Sequence, residues 1–146
     1  MKPLNEELVM TQEDKELLLK DLCARTPYGV KVQYMNNIFV IDYVSSYEEV
    51  KLDTSDNWTV GVSEVKPYLF PLSSMTEEQK VELKQEHIKD EKLYVECLTM
   101  AAKGDSSMRG KVIIHYAMDW CYKNHFDYRG LIEKGLAIDA TGLNIY

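Results

Sequence analysis

The spacing of apolar residues changes along this chain, and each change predicts a different kind of structure. From Thr11 to about Arg25 the period is helical. Leu17, Leu18, Cys23 and Ala24 supply a partial apolar face, Thr11 is placed to accept hydrogen bonds from first-turn amides, and Glu13 and Asp14 sit at the positive end of the helix dipole. Pro27 ends the element, because the residue before a proline is driven out of helical geometry.

Between Tyr28 and Leu72 the helical period disappears. Val30, Val32 and Tyr34 alternate with Lys31 and Gln33, Ile38 to Val44 is nearly continuous in apolar residues, Val50 and Leu52 flank Lys51, and Trp58, Val60 and Val62 alternate again. Turn-forming stretches at Met35-Asn36-Asn37, Ser45-Ser46 and Thr54-Ser55-Asp56-Asn57 separate these runs. Short strands joined by tight turns over residues 28–72 predict a small antiparallel sheet or a Src-homology-3-like barrel. Pro67 and Pro71 cannot donate to a central ladder, so Val65 to Leu72 is expected at an edge or as a crossing connection.

Beyond Ser74 the helical period returns. Thr76 and Gln79 have the spacing of a capping box, and the polar helix they start carries Val81, Ile88, Val95 and Leu98 on one stripe as far as Gly104. Ile113, Tyr116, Ala117, Trp120 and Cys121 predict a second helix over Val112 to Asn124. Asp127 is expected to cap a short helix from Tyr128 to Lys134, closed by Gly135 in left-handed geometry. The expected fold is α+β in one domain, 1–146. It comprises an N-terminal helix (11–25), the strand region (28–72), a helical region of two to three helices (75–135), and a short strand or tail (136–146).

Composition narrows the setting. Hydrophobic residues make up 45% and charged ones 28%, a balance that permits a real core within the size of one domain. No long uncharged run is available to cross a bilayer, and Glu6 and Glu7 interrupt the region where an export signal would be apolar. Cys23, Cys97 and Cys121 are odd in number and far apart, which predicts reduced thiols and a cytoplasmic protein. A net charge of −7 disfavours nucleic acid and anionic membranes as partners, and the strand region itself holds only Lys31, Lys51 and Lys66 against six acidic residues.

Signals for chemistry are sparse. There is no GxSxG elbow, no GxGxxG or GxxxxGK loop, and no cysteine in a reactive context, so neither a catalytic residue nor a cofactor is assigned and an enzyme is disfavoured. His115 with Asp119, and Cys121 with His125, share helix faces pairwise, but the pairs point apart and do not make a metal site. His125, Asp127, Tyr128 and Arg129 form the densest polar cluster and the candidate site for a small anionic ligand, although Asp127 could equally serve only as a cap. Ten tyrosines are an excess for this length, and tyrosine is enriched where proteins meet partners. Tyr34, Tyr43, Tyr47 and Tyr68 are the candidate partner-binding residues, as half-buried sheet positions or as an exposed face, and exposed strand edges leave a homo-oligomer open.

Segments 27–32 (PYGVKV), 65–78 (VKPYLFPLSSMTEE) and 125–137 (HFDYRGLIEKGLA) resemble a group of proteins of gut Bacteroides and their phages or prophages. No function is assigned to that group, so the resemblance transfers no site residue. Together with the tyrosine-rich strand region, the acidic charge and the missing catalytic signatures, it points to an accessory protein of a phage or mobile element, acting without catalysis on a host protein or small ligand and suited to counter-defence. The alternative is a small enzyme or ligand-sequestering protein built around His125 to Arg129.

Overall fold

The computed structural model describes residues 10–45, 47–56, 58–87 and 117–146, with no account of the side chains at 84–87. The chain is α+β, with a small mixed sheet of short strands and three helices among the described residues. It forms two compact units, which divide between Tyr68 and Leu69.

The first unit opens with α1 (Gln12–Arg25), whose first turn is capped as expected: the Asp14 amide donates to Thr11 Oγ1 at 3.1 Å. A 3₁₀ turn over Thr26–Tyr28 follows, and Gly29 at φ +70° releases the chain into the sheet. The inward face of α1 differs from the expected one. Leu18, Asp21, Leu22 and Arg25 are buried, whereas Cys23 is exposed. Arg25 Nε donates to Asp21 Oδ2 at 2.7 Å with both side chains wholly out of solvent, so mutual compensation permits a charged pair inside beside Leu18, the one anticipated residue of the four that is buried.

Strands β1 (Lys31–Tyr34), β2 (Asn37–Val44), β3 (Glu49–Leu52), β4 (Val60–Gly61) and the first part of β5 (Lys66–Pro71) complete this unit. All pair antiparallel, in the order β4-β3-β2-β1-β5. The β1–β2 hairpin pairs Tyr34 with Asn37 around Met35 and Asn36, which both take positive φ, the turn whose twist matches that of paired strands. Among the described residues no pairing joins β4 to β5, so the sheet is open rather than a closed barrel. Val30, Val32, Ile41, Val50, Leu52, Val60, Val62 and Val65 form its core.

One irregularity redirects β2. Ile41 pairs with Leu52 but Tyr43, not Asp42, pairs with Lys51, so an extra residue is accommodated and the alternation reverses beyond Ile41. Asp42 and Tyr43 are consequently both exposed. Lys51 is buried in the opposite strand because its ammonium folds back onto the carbonyl oxygens of Leu52 (2.6 Å) and Thr54 (3.3 Å).

In the second unit the later part of β5 pairs parallel with β6 (Phe126–Asp127) and also with β7 (Ile138–Asp139), where the Ala140 amide donates to Leu69 O. Helix α2 (Glu77–His87) starts at a complete capping box: the Gln79 amide donates to Thr76 Oγ1 and the Thr76 amide to Gln79 Oε1. The expected continuation of α2 through Ile88, Val95 and Leu98, together with Cys97, His115 and the start of the next helix, lies outside the described residues. Helix α3, over 117–123, brings Ala117, Trp120 and Cys121 into a core with Phe126, Leu131, Leu136 and Ala140.

The expected helix from Tyr128 to Lys134 is instead a run of turns. Its ending nevertheless follows the expected chemistry. Gly135 sits at φ +74°, its amide donates to Ile132 O, and the Leu136 amide donates to Leu131 O, a paired closure that needs a left-handed residue at this position. No described helix is long and apolar enough to cross a membrane.

Candidate functional site

The polar cluster of residues 125–129 is built by the end of α3. His125 adopts φ +64°, the left-handed post at a helix terminus that glycine or asparagine usually fills, and its amide donates to Tyr122 O. That turn feeds β6. The His125 imidazole lies parallel to the Tyr146 ring at 3.6 Å, and Tyr146 in turn meets Phe70.

Asp127 is buried, and its carboxylate is occupied by backbone. Oδ1 accepts from the Leu131 amide at 3.0 Å and Oδ2 from the Ile132 amide at 2.9 Å, four and five residues on, so Asp127 ties down a turn rather than taking the nearer amides that the expected helix cap would. Tyr128 is also buried, and its hydroxyl shares a hydrogen bond with that of Tyr122. Arg129 Nη2 donates to the same Tyr122 hydroxyl at 2.8 Å, while the guanidinium carbon stands 4.9 Å from the Tyr128 ring centre and 5.9 Å from that of Tyr122.

Beside this arrangement is a cleft of about 440 Å³, whose lining includes Leu72, Ser73, Tyr128, Arg129 and Glu133. Asp127, Tyr128 and Arg129 all reach it, whereas His125 does not. The structure thus brings three of the four residues together and turns the fourth toward Tyr146. Among the described residues no three His, Cys, Asp or Glu side chains converge as metal ligands. Cys23 is a free thiol, and partial burial pushes it up, toward its protonated and less nucleophilic form.

The tyrosines of the strand region do not share one face. Tyr68 is buried at 6% exposure, Tyr47 projects at 84% from the turn before β3, and Tyr43 is turned outward by the irregularity in β2. Tyr34 is different. It follows Val32 by two positions, and Val32 pairs with Phe39, so Tyr34, Val32, Phe39 and Ile41 all lie on the core face of the hairpin. Val32 and Ile41 are buried, but toward the turn this face leaves the core. There Tyr34 packs between Phe39 (6.3 Å between ring centres) and Trp58 (5.8 Å), with Trp58 42% exposed and Met35, at the tip, 75% exposed.

Sequence reasoning named Tyr34 but missed Phe39 and Trp58, because it treated Trp58 as one more strand residue. The available signal was its position just after the turn-forming run Thr54 to Asn57, before the short β4, where a large ring has little sheet to cover it. No family model matches the chain, and neither a curated protein nor a solved structure matches it.

Proposed function

We propose that this chain is a non-enzymatic binding module that engages a protein partner through the aromatic surface formed by Tyr34, Phe39 and Trp58, with Met35 beside it. The observation that carries this reading is the continuation of the hairpin's core face, beyond buried Val32 and Ile41, into the half-buried rings of Tyr34 and Phe39 with Trp58 exposed against Tyr34. Exposed Trp and Tyr are the side chains most often found at the energetic centre of protein interfaces, since they bury much apolar area with few rotors. Short strands and the twist introduced by the irregularity at Asp42 support a Src-homology-3-like curl for this sheet. The free thiol at Cys23 supports work in the cytoplasm. The setting we propose, an accessory protein of a Bacteroides phage or mobile element acting on a host protein, rests on the resemblance of the three segments alone.

Site-specific photo-crosslinking tests the reading. A photoreactive side chain replacing Trp58 is expected to capture a defined protein in producing cells, with the same group at exposed Cys23 or Glu133 as controls. Capture of only this chain would make the surface a self-association face, and equal capture from all three positions would sink the proposal.

The cleft beside Arg129 favours a second reading, a small anionic ligand held by the guanidinium. Thermal unfolding in phosphate, carboxylates and nucleotides tests it. A saturable rise that vanishes in Arg129→Gln would support the ligand reading, and no saturable rise with any of them would end it.

A further inference from the structure

Resting on the aromatic surface proposed above, we infer that its partner is a protein segment carrying Arg or Lys side chains. The charges of the strand region, sorted by what each already touches, carry this inference. Of the six carboxylates, Glu48 accepts from Gln12 Nε2, Glu49 from the Thr59 hydroxyl, and Glu64 from the Gly61 amide. Asp42, Asp53 and Asp56 are exposed, and their carboxylates make no hydrogen bond or ion pair among the described residues. On the opposing side, Lys51 has its ammonium turned inward onto two carbonyl oxygens, which removes one of the region's three lysines from the surface.

The free carboxylates are also in the right place. The Asp53 amide donates to Val40 O at 2.8 Å, which ties the start of the 53–56 loop to β2, and the loop leads within two residues of Asp56 to Trp58. An exposed tryptophan preceded within five residues by two free carboxylates attracts one class of side chain on both counts. The ring of Trp58, 42% exposed over half-buried Tyr34, favours a guanidinium or ammonium, and Asp53 and Asp56 supply the opposite charge. An acidic partner would meet repulsion at the same place, and a purely apolar one would leave the carboxylates unused.

The test uses the full chain and short peptides of alternating Gly and Arg, with Lys and citrulline versions of equal length as comparisons. The side-chain N–H resonances of Trp58 and Trp120 are followed by NMR, the Trp58 signal being assigned with Trp58→Phe. The Arg and Lys peptides are expected to shift the Trp58 signal saturably and leave that of buried Trp120 in place. The paired exposed substitutions Asp53→Asn and Asp56→Asn are expected to weaken this binding about fivefold, and added salt to do the same. Absence of a saturable shift, or an equal response to the citrulline peptide, would overturn the inference. If the partner cross-linked through position 58 binds the Asp53→Asn, Asp56→Asn protein as well as the parent and without salt dependence, the cationic segment is wrong while the aromatic surface stands. Failure of the cross-link itself would remove both.

Discussion

The β1–β2 hairpin and the turn at residues 125–129 resolve the same problem in opposite directions. Both gather aromatic and polar side chains. At 125–129 the polar atoms look inward: both Asp127 oxygens hold backbone amides, Arg129 holds Tyr122, and Tyr122 holds Tyr128. At the hairpin Trp58 and Met35 are exposed over half-buried Tyr34 and Phe39, and Asp53 and Asp56, in the loop before Trp58, bind nothing among the described residues. A dense polar cluster in a sequence is therefore a poor guide to function when its members can satisfy one another. The more informative feature is the group left over after such pairing.

The largest effect that would sharpen this contrast is expected at Asp127. Replacement by Ala strands two backbone N–H groups in a buried turn, and urea unfolding should show a loss of about 3 kcal/mol. Asp127→Asn keeps one acceptor and should lose about half as much. A loss below about 0.5 kcal/mol for Asp127→Ala would break the contrast, because the carboxylate would then be available for other work. Next in size is Trp58→Ala. It should weaken partner binding by about 2 kcal/mol, as truncated interface tryptophans commonly do, and cost less than about 1 kcal/mol of stability. Titration calorimetry and urea unfolding measure the two quantities.

Tyr122→Phe removes the hydroxyl that joins Arg129 to Tyr128 and should destabilise by about 1 kcal/mol while leaving partner affinity unchanged. The smallest effect concerns Asp139. Its hydrogen bonds from Thr141 hold its carboxyl below the usual carboxylate range, so it favours the folded state fully above the unfolded pKa. That contribution is lost as pH falls through the depressed folded value. Because the group is exposed, the stability change is small, and NMR titration of the Asp139 carboxyl is the sensitive measure. A midpoint at or above the ordinary value would contradict the assigned hydrogen bond.

Local chemistry was the part of this fold most legible in the sequence. The Thr11 cap, the turn at Met35 and Asn36, the Thr76–Gln79 box and left-handed Gly135 each depend on a few adjacent residues, and each stands where those residues place it. What could not be read depends on distant neighbours. Asp21 and Arg25 have the spacing of an ordinary surface pair on a helix, and only the packing of α1 in its unit makes them core. The single extra residue at Asp42 reverses the strand pattern, so Tyr43 points outward although simple alternation from Ile41 sends it inward. His125 in left-handed geometry is a cost of order 1 kcal/mol that residue type does not announce. The candidate site divided the same way: the cluster at 125–129 was visible as composition, whereas Trp58 acquired meaning only once Tyr34 and Phe39 were placed beside it.

The central claim is that binding belongs to the hairpin surface and scaffolding to the 125–129 turn. The most direct measurement is titration calorimetry of the cross-linked partner, once identified, against Trp58→Ala and Arg129→Ala, with thermal unfolding of both variants recorded alongside. The account predicts that Trp58→Ala unfolds near the parent temperature but binds at least tenfold more weakly, as loss of a central tryptophan implies. It predicts that Arg129→Ala unfolds at a lower temperature and binds as the parent does. A partner that binds Trp58→Ala normally and loses affinity for Arg129→Ala would contradict it.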